Sequence, residues 1–173
     1  VLAAGHHEVL SLGVSAFADT VTDDVVAAAR AGTAVGTVAA TASGLRSVVV
    51  DCGAATGDLL HDDALSDVRV SQLLADGRAL GATEGATGLV ALGEVGMGNT
   101  TVAAALAAVL LGIAPADAVG LGAGADSAML ARKAEVVSGA LARVGPTQDP
   151  LRALAAVGGP EVVPAHRLRG ERY

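Results

Sequence analysis

Nine residues, GEVGMGNTT from Gly93 to Thr101, crowd a carboxylate, three glycines, an asparagine and two threonines between an apolar run and an alanine-rich segment. This combination suits an anion site. A helix starting near Asn99 would present unpaired N–H groups and a partial positive charge at its first turn. Gly96 and Gly98 carry no Cβ, so the backbone there can approach a phosphate closely. Asn99, Thr100 and Thr101 would add side-chain donors. Glu94 does not fit a plain phosphate site, because a carboxylate repels the anion. It fits a site where it meets a ribose hydroxyl, a cationic ring or a proton in transfer. The segment is not a Walker loop, since no Lys follows the last glycine, and its glycine spacing is not that of the dinucleotide fingerprint. Spacing alone leaves an ordinary strand-to-helix turn equally open.

Three other stretches carry candidate chemistry. GHHEVLSLGVSAF, Gly5 to Phe17, sets two histidines beside a glutamate. Adjacent residues point different ways, and no further His or Cys completes a metal site, so the preferred reading is a loop lining a ligand pocket through His7 and Ser15. GLGAGAD, Gly120 to Asp126, is a second glycine-rich turn. Gly122 and Gly124 could cradle a phosphate with Lys133 as counter-charge; a plain turn and a solvated Arg132–Lys133 face stay open. Asp51 ends the run SVVVDCG, where it could hold substrate or cap the following turn. Cys52 beside it reads as a small core residue.

The elements around these residues alternate. VLAA reads as a short strand, and VTDDVVAAARAGTAVGTVAATA as helix with Thr22 as N-cap and a break at Gly32. LRSVVVDCG reads as a buried strand, and VRVSQLLADGRALGATEGA as a helix leading to a second buried strand, TGLVALG. A helix from Asn99 ends at Gly112, a short apolar element precedes the second glycine loop, and SAMLARKAEVVSGALARVG is helical. DPLRALAAVGGPE is a helix with Asp149 as N-cap and Pro150 at its first position. The polar, acidic connection from Ala54 to Asp67 reads as surface loop. The alternation predicts a single α/β domain with a mostly parallel sheet, whose ligands bind beyond the C-terminal strand ends.

Composition narrows the function. In 173 residues, 52% are hydrophobic, with one Phe, one Tyr and no Trp, so Ala, Val, Leu and Gly must fill the core. The net charge is −7 and the only basic stretch is HRLRGERY at the end, which argues against nucleic-acid binding. The apolar run from Val102 to Ala118 is interrupted by Gly112 and Pro115 and is shorter than a spanning helix, so no membrane partner is expected. Cys52 is alone, which excludes an internal disulfide and a Cys-based metal site. With no signal peptide visible, a cytoplasmic location is expected.

Four segments, taken in order, resemble the nicotinate-nucleotide:dimethylbenzimidazole phosphoribosyltransferase family of the cobalamin lower-ligand pathway. They are GHHEVLSLGVSAFADTVT, VVVDCG, ALGEVGMGNTTVAAAL and AVGLGAGADSAMLARKAEVV, with GGPE following. The resemblance implies a Rossmann-like core, commonly dimeric, and transfer of phosphoribosyl from nicotinate mononucleotide to a benzimidazole nitrogen. It implies no metal or organic cofactor. The family's own catalytic glutamate lies in a C-terminal segment with no counterpart after GGPE; in this chain Glu94 is the candidate catalytic residue, because it suits a carboxylate facing developing positive charge. Asp51, Gly96, Gly98, Asn99, Thr100, Thr101, Gly122, Gly124, Lys133, His7 and Ser15 are the substrate-binding set. A homodimer is expected, also because the apolar helices outnumber what one small core can cover.

The chain departs from the family pattern in four places. His6, His7 and Glu8 stand where the family has Asp, His and Gly. Leu121 and Ala123 replace an Arg and a Thr. Residues 1–173 are expected to form the transferase-like core without the family's N-terminal helical part and C-terminal glutamate segment. The alternative these departures suggest is a non-catalytic homologue that binds a nucleotide or α-ribazole. A third reading keeps pentosyl transfer with a changed acceptor.

Overall fold

The computed structural model describes residues 1–86 and 88–167. Its centre is a three-stranded parallel sheet in the order β2-β1-β3, built from β1 (Leu2–His7), β2 (Val49–Ala55) and β3 (Gly93–Val95). Helices surround it: α1 (Thr20–Arg30), α2 (Val35–Ala42), α3 (Asp67–Gly85), α4 (Asn99–Leu111), α5 (Pro115–Ala118), α6 (Ser127–Val144), α7 (Pro150–Val157) and α8 (Val162–Arg167). A short 3-10 turn, Glu8–Leu12, follows β1. The predicted α/β architecture with a parallel sheet is therefore the observed one.

The strand order has a functional consequence. The chain leaves β1 for β2 on one side, then returns to place β3 on the other. That reversal opens a crevice beyond the C-terminal ends of β1 and β3. The turn after β1 and the glycine loop after β3 both lie there.

Small residues set the packing. The buried face of α4 is Thr101, Val102, Ala104, Ala105, Ala108 and Val109, and it packs against α6 and α7. On α6 the buried positions Lys133, Val136, Val137 and Ala140 recur at helical spacing. Gly77 on α3 lets α8 come so close that a Cβ there would lie 2.7 Å from the Pro164 Cα. Gly112 ends α4 in the left-handed region and Asp149 caps α7 by accepting from the Leu151 and Arg152 amides, both as the sequence suggests.

Three local expectations change. β1 runs on to His7 instead of stopping before Gly5. Thr22 does not cap α1; the cap position is Asp19, and Thr22 is buried with its hydroxyl accepting from the Met97 amide at 3.1 Å. The segment 89–92 is not a buried strand. Leu89 is fully exposed, and pairing with β1 begins only at Gly93, the partner of Leu2. The expected break at Gly32 holds: the stretch from 20 to 42, apolar and long enough by composition to span a bilayer, is two helices. Gly32 (φ +77) and a bond from the Thr33 amide back to the Ala28 carbonyl end the first of them.

The connection from Ala54 to Asp67 is not plain surface either. Leu59, Ala64 and Leu65 are buried, and the Ala64 and Leu65 amides donate to the Ala156 and Ala155 carbonyls. Arg143 clamps this connection. It donates to the Leu59 carbonyl at 2.8 Å, to Asp63 at 2.6 Å and to the Ala156 carbonyl at 3.1 Å, and Arg152 also reaches Asp63. The basic tail beyond Arg167 lies outside the described residues.

The Arg152 guanidinium, with Arg143, holds the Asp63 carboxyl below the usual carboxylate range against the opposing effect of burial. A depressed folded value contributes stability that is present above the unfolded value of about 3.9 and is lost as pH falls through the folded one. Resistance of the native chain to urea should therefore fall below about pH 4. Asp63→Asn should lower stability at pH 7 and flatten that acid limb. An unchanged acid limb in the variant would show that the clamp is not its source.

Candidate functional site

The site is assembled from four loops at the crevice. Gly98 caps α4 in the left-handed region (φ +89), and no side chain caps that helix. A Cβ on Gly98 would lie 3.1 Å from Val9, so the turn after β1 presses directly on the tip of α4. No carboxylate or hydroxyl caps the first turn of α4, whose Asn99 and Thr101 amides turn back onto the Gly96 and Gly98 carbonyls. Glu94, exposed on β3, accepts a hydrogen bond from the Asn99 side-chain amide at 2.7 Å. That bond closes the Gly96–Gly98 loop on itself and orients the carboxylate across the helix tip.

The second glycine loop closes the other side. Gly122 (φ +67) and Gly124 (φ +72) are both left-handed, a region that disfavours side chains. A Cβ on Gly124 would meet Ala16 and Phe17, so this loop packs on the segment carrying Ser15. Lys133 is only 4% exposed. Its ammonium donates to the Leu121 carbonyl at 3.1 Å and to the Thr100 hydroxyl at 3.4 Å, and burial lowers its pKa. It stands at the crevice end of the buried stripe on α6, which explains how a core-facing position delivers a cation to the helix tip. Arg132, its neighbour, donates to the Gly13 carbonyl and ties the loop after β1 to α6.

Other predicted residues sit elsewhere. Thr101 is fully buried, and its hydroxyl has no hydrogen-bond partner among the described residues. The Ser15 hydroxyl accepts from the Phe17 amide. Asp51 is exposed within β2, not at its end, and accepts from the Gly53 amide at 3.0 Å. The turn-capping alternative describes that contact. Cys52 is buried and its thiol is pushed up to about 11, first by desolvation and then by the charge of Glu161, which disfavours a thiolate.

The two adjacent histidines diverge. His6 bonds Asp19 at 3.0 Å and approaches Asp23 at 3.3 Å, both on or beside the start of α1. His7 turns the other way into the interior. Its side chain is 1% exposed and its Nε2 lies 3.1 Å from Glu161, whose side chain is 0% exposed. His7 was expected to line the pocket; the structure places its ring beneath the loops instead. Glu161 was missed by residue-by-residue reading. The signal was GGPE, a glycine pair before a carboxylate inside an apolar run.

A second, mainly apolar cleft of about 1100 Å³ is lined by the strand starts Val1, Leu2 and Val48. It lies between α1, α2 and the segment 89–95, with Glu94 and Val95 on its border. Glu94 therefore stands between an apolar cleft and the polar tip of α4.

Comparison with known proteins gives this arrangement a family. A phosphoribosyltransferase family model matches residues 1–165. The chain belongs to that family. Within the family, it is 40% identical over 164 residues to nicotinate-nucleotide–dimethylbenzimidazole phosphoribosyltransferase of Roseobacter denitrificans, covering 94% of this chain and 48% of that one. It is 37% identical over 193 residues to the enzyme of the same name from Thermus thermophilus, covering 100% and 57%. The crystal structure of CobT from Thermus thermophilus superposes with a TM-score of 0.89 at 34% identity, covering 96% of this chain and 56% of that one. The chain spans about half the length of the curated relatives it matches.

The Asp19 hydrogen bond raises the His6 pKa, burial opposes it, and the charges of Asp19, Asp23 and Asp51 add to the rise. A raised folded value contributes stability that is complete below about 6.5 and is lost as pH rises through the folded value. An NMR titration of the His6 ring should give a midpoint above about 6.5, and Asp19→Asn should bring it down. A midpoint at or below that of a model peptide would remove this link between the β1 loop and α1.

Proposed function

We propose that this core transfers phosphoribosyl from nicotinate mononucleotide to dimethylbenzimidazole, giving α-ribazole phosphate and nicotinate. The observation that supports the reading most directly is the placement of Glu94. Its carboxylate crosses the uncapped tip of α4, bonded to Asn99, and borders the apolar cleft. The phosphate of the donor would take the α4 tip, Gly96–Thr101, with Gly122, Gly124 and Lys133 closing over it. The flat apolar acceptor would enter from the cleft side. As the acceptor nitrogen attacks the anomeric carbon, the bond to nicotinate breaks with its electron pair, neutralising the pyridinium. The ring nitrogen that attacks carries no proton; the proton on the other nitrogen of the benzimidazole is the one given up. Glu94 would stabilise oxocarbenium charge at the sugar and stand near that proton.

The finer features are part of the same proposal. Small-molecule substrates, with no nucleic acid and no membrane, suit the acidic surface. A cytoplasmic location suits a lone buried cysteine and relatives from bacteria. A homodimer suits the exposed apolar side chains Val35 and Leu45, which line the cleft, and the exposed Val38; light scattering should then give twice the monomer mass.

Incubation with nicotinate mononucleotide and dimethylbenzimidazole should release nicotinate in step with α-ribazole phosphate. Glu94→Gln should lower kcat/KM by about 100-fold, the scale for losing one acid–base or electrostatic partner, while the melting temperature stays close to that of the parent. Absence of product with every benzimidazole or purine acceptor would overturn catalysis by this chain. Calorimetric binding of the nucleotide without turnover would leave the non-catalytic binding homologue in its place.

A further inference from the structure

We infer that His7 and Glu161 are a buried positioning pair that sets the Gly96–Asn99 loop. The inference extends the proposed function, since it matters for activity only if that loop holds the donor. Neither side chain reaches solvent, so neither touches substrate. Their 3.1 Å contact is not aligned as a hydrogen bond, and no partner among the described residues satisfies either ring nitrogen or either carboxylate oxygen. A fully buried acid and imidazole with so few bonds are a liability in a core, which apolar residues would fill with less desolvation. Stability alone therefore does not account for them.

Their surroundings do. Glycines from three separate segments close around the pair. A Cβ on Gly5, in β1, would lie 2.3 Å from the Glu161 carboxylate. On Gly96, after β3, it would lie 2.7 Å from His7 Nε2. On Gly159, after α7, it would lie 2.6 Å from the His7 ring and 2.7 Å from Glu161. The His7 ring is thus the floor on which the Gly96 backbone rests. From the other side Thr22 accepts from the Met97 amide, and the Asn99 amide turns back onto the Gly96 carbonyl at 3.1 Å. Gly96 lies two residues after Glu94 and three before Asn99, the two groups joined across the α4 tip. Moving the floor moves both ends of that bond.

The pair is tested with Glu161→Gln and His7→Gln, each compared with Val137→Ala. Val137 is fully buried in α6 and serves as a plain core lesion. Two quantities are read at matched loss of melting temperature. These are hydrogen exchange at the Gly96–Asn99 amides and calorimetric affinity for nicotinate mononucleotide. Both pair variants should speed exchange in that loop about tenfold relative to Val137→Ala and weaken the nucleotide by a similar factor. If Val137→Ala does the same at equal stability loss, the pair is ordinary core and the inference is overturned. If Glu161→Gln does not fold, His7→Gln, which keeps a donor beside the carboxylate, carries the comparison. If the parent chain binds no nucleotide, the transferase reading fails, and the exchange comparison still decides the role of the pair.

Discussion

Pairing of β3 with β1 governs the rest of the structure, and it is short. Leu2, Ala3 and Ala4 face Gly93, Glu94 and Val95, and the ladder goes no further. Those three steps fix where the chain leaves the sheet. They bring Gly96 over Gly5 and His7, and they aim α4 into the crevice. A slip of one residue would turn Glu94 to the other face of the sheet and carry Gly96 off its floor. So brief a ladder gains its definition from what surrounds it: tight glycine contacts beneath the loop and alanine-lined packing of α4 on α6 and α7.

Polar groups and close packing meet at the same place. The strand ends hold a buried lysine, a buried threonine and the His7–Glu161 pair, while the remainder of the core is mainly Ala, Val and Leu. Buried polar groups are costly unless satisfied. Most of them gather at the C-terminal strand ends, with Thr37 and Glu84 the exceptions among the described residues.

Most of the architecture was legible in the sequence. The alternation of β-branched runs with alanine-rich segments pointed to the parallel α/β arrangement, and capping residues such as Asp149 and Gly112 marked helix ends through local chemistry. What misled was context. Leu89 to Leu92 are apolar in composition, yet the ladder with β1 starts only at Gly93 and Leu89 stays exposed. Thr22 looks like a cap because Asp23 follows it, but the helix starts earlier and the hydroxyl serves a loop 75 residues away. At the candidate site, the glycine loop and Glu94 stood out because their types are unusual together. The direction of His7 did not, since a pair of adjacent histidines carries no sign of which one faces inward. Glu161 was hidden for a similar reason: its role lies in contacts with glycines of distant segments, and no local pattern encodes those.

Lys133 has one more implication. Its ammonium is already stripped of bulk water, held at the end of an apolar row against a carbonyl and a hydroxyl. A surface lysine would attract an anion through solvent, and dissolved ions would blunt that attraction over roughly a Debye length of 8 to 10 Å. A cation shielded by protein on most sides feels little of this. Under the proposed function, capture of an anion here would depend weakly on ionic strength and strongly on fit.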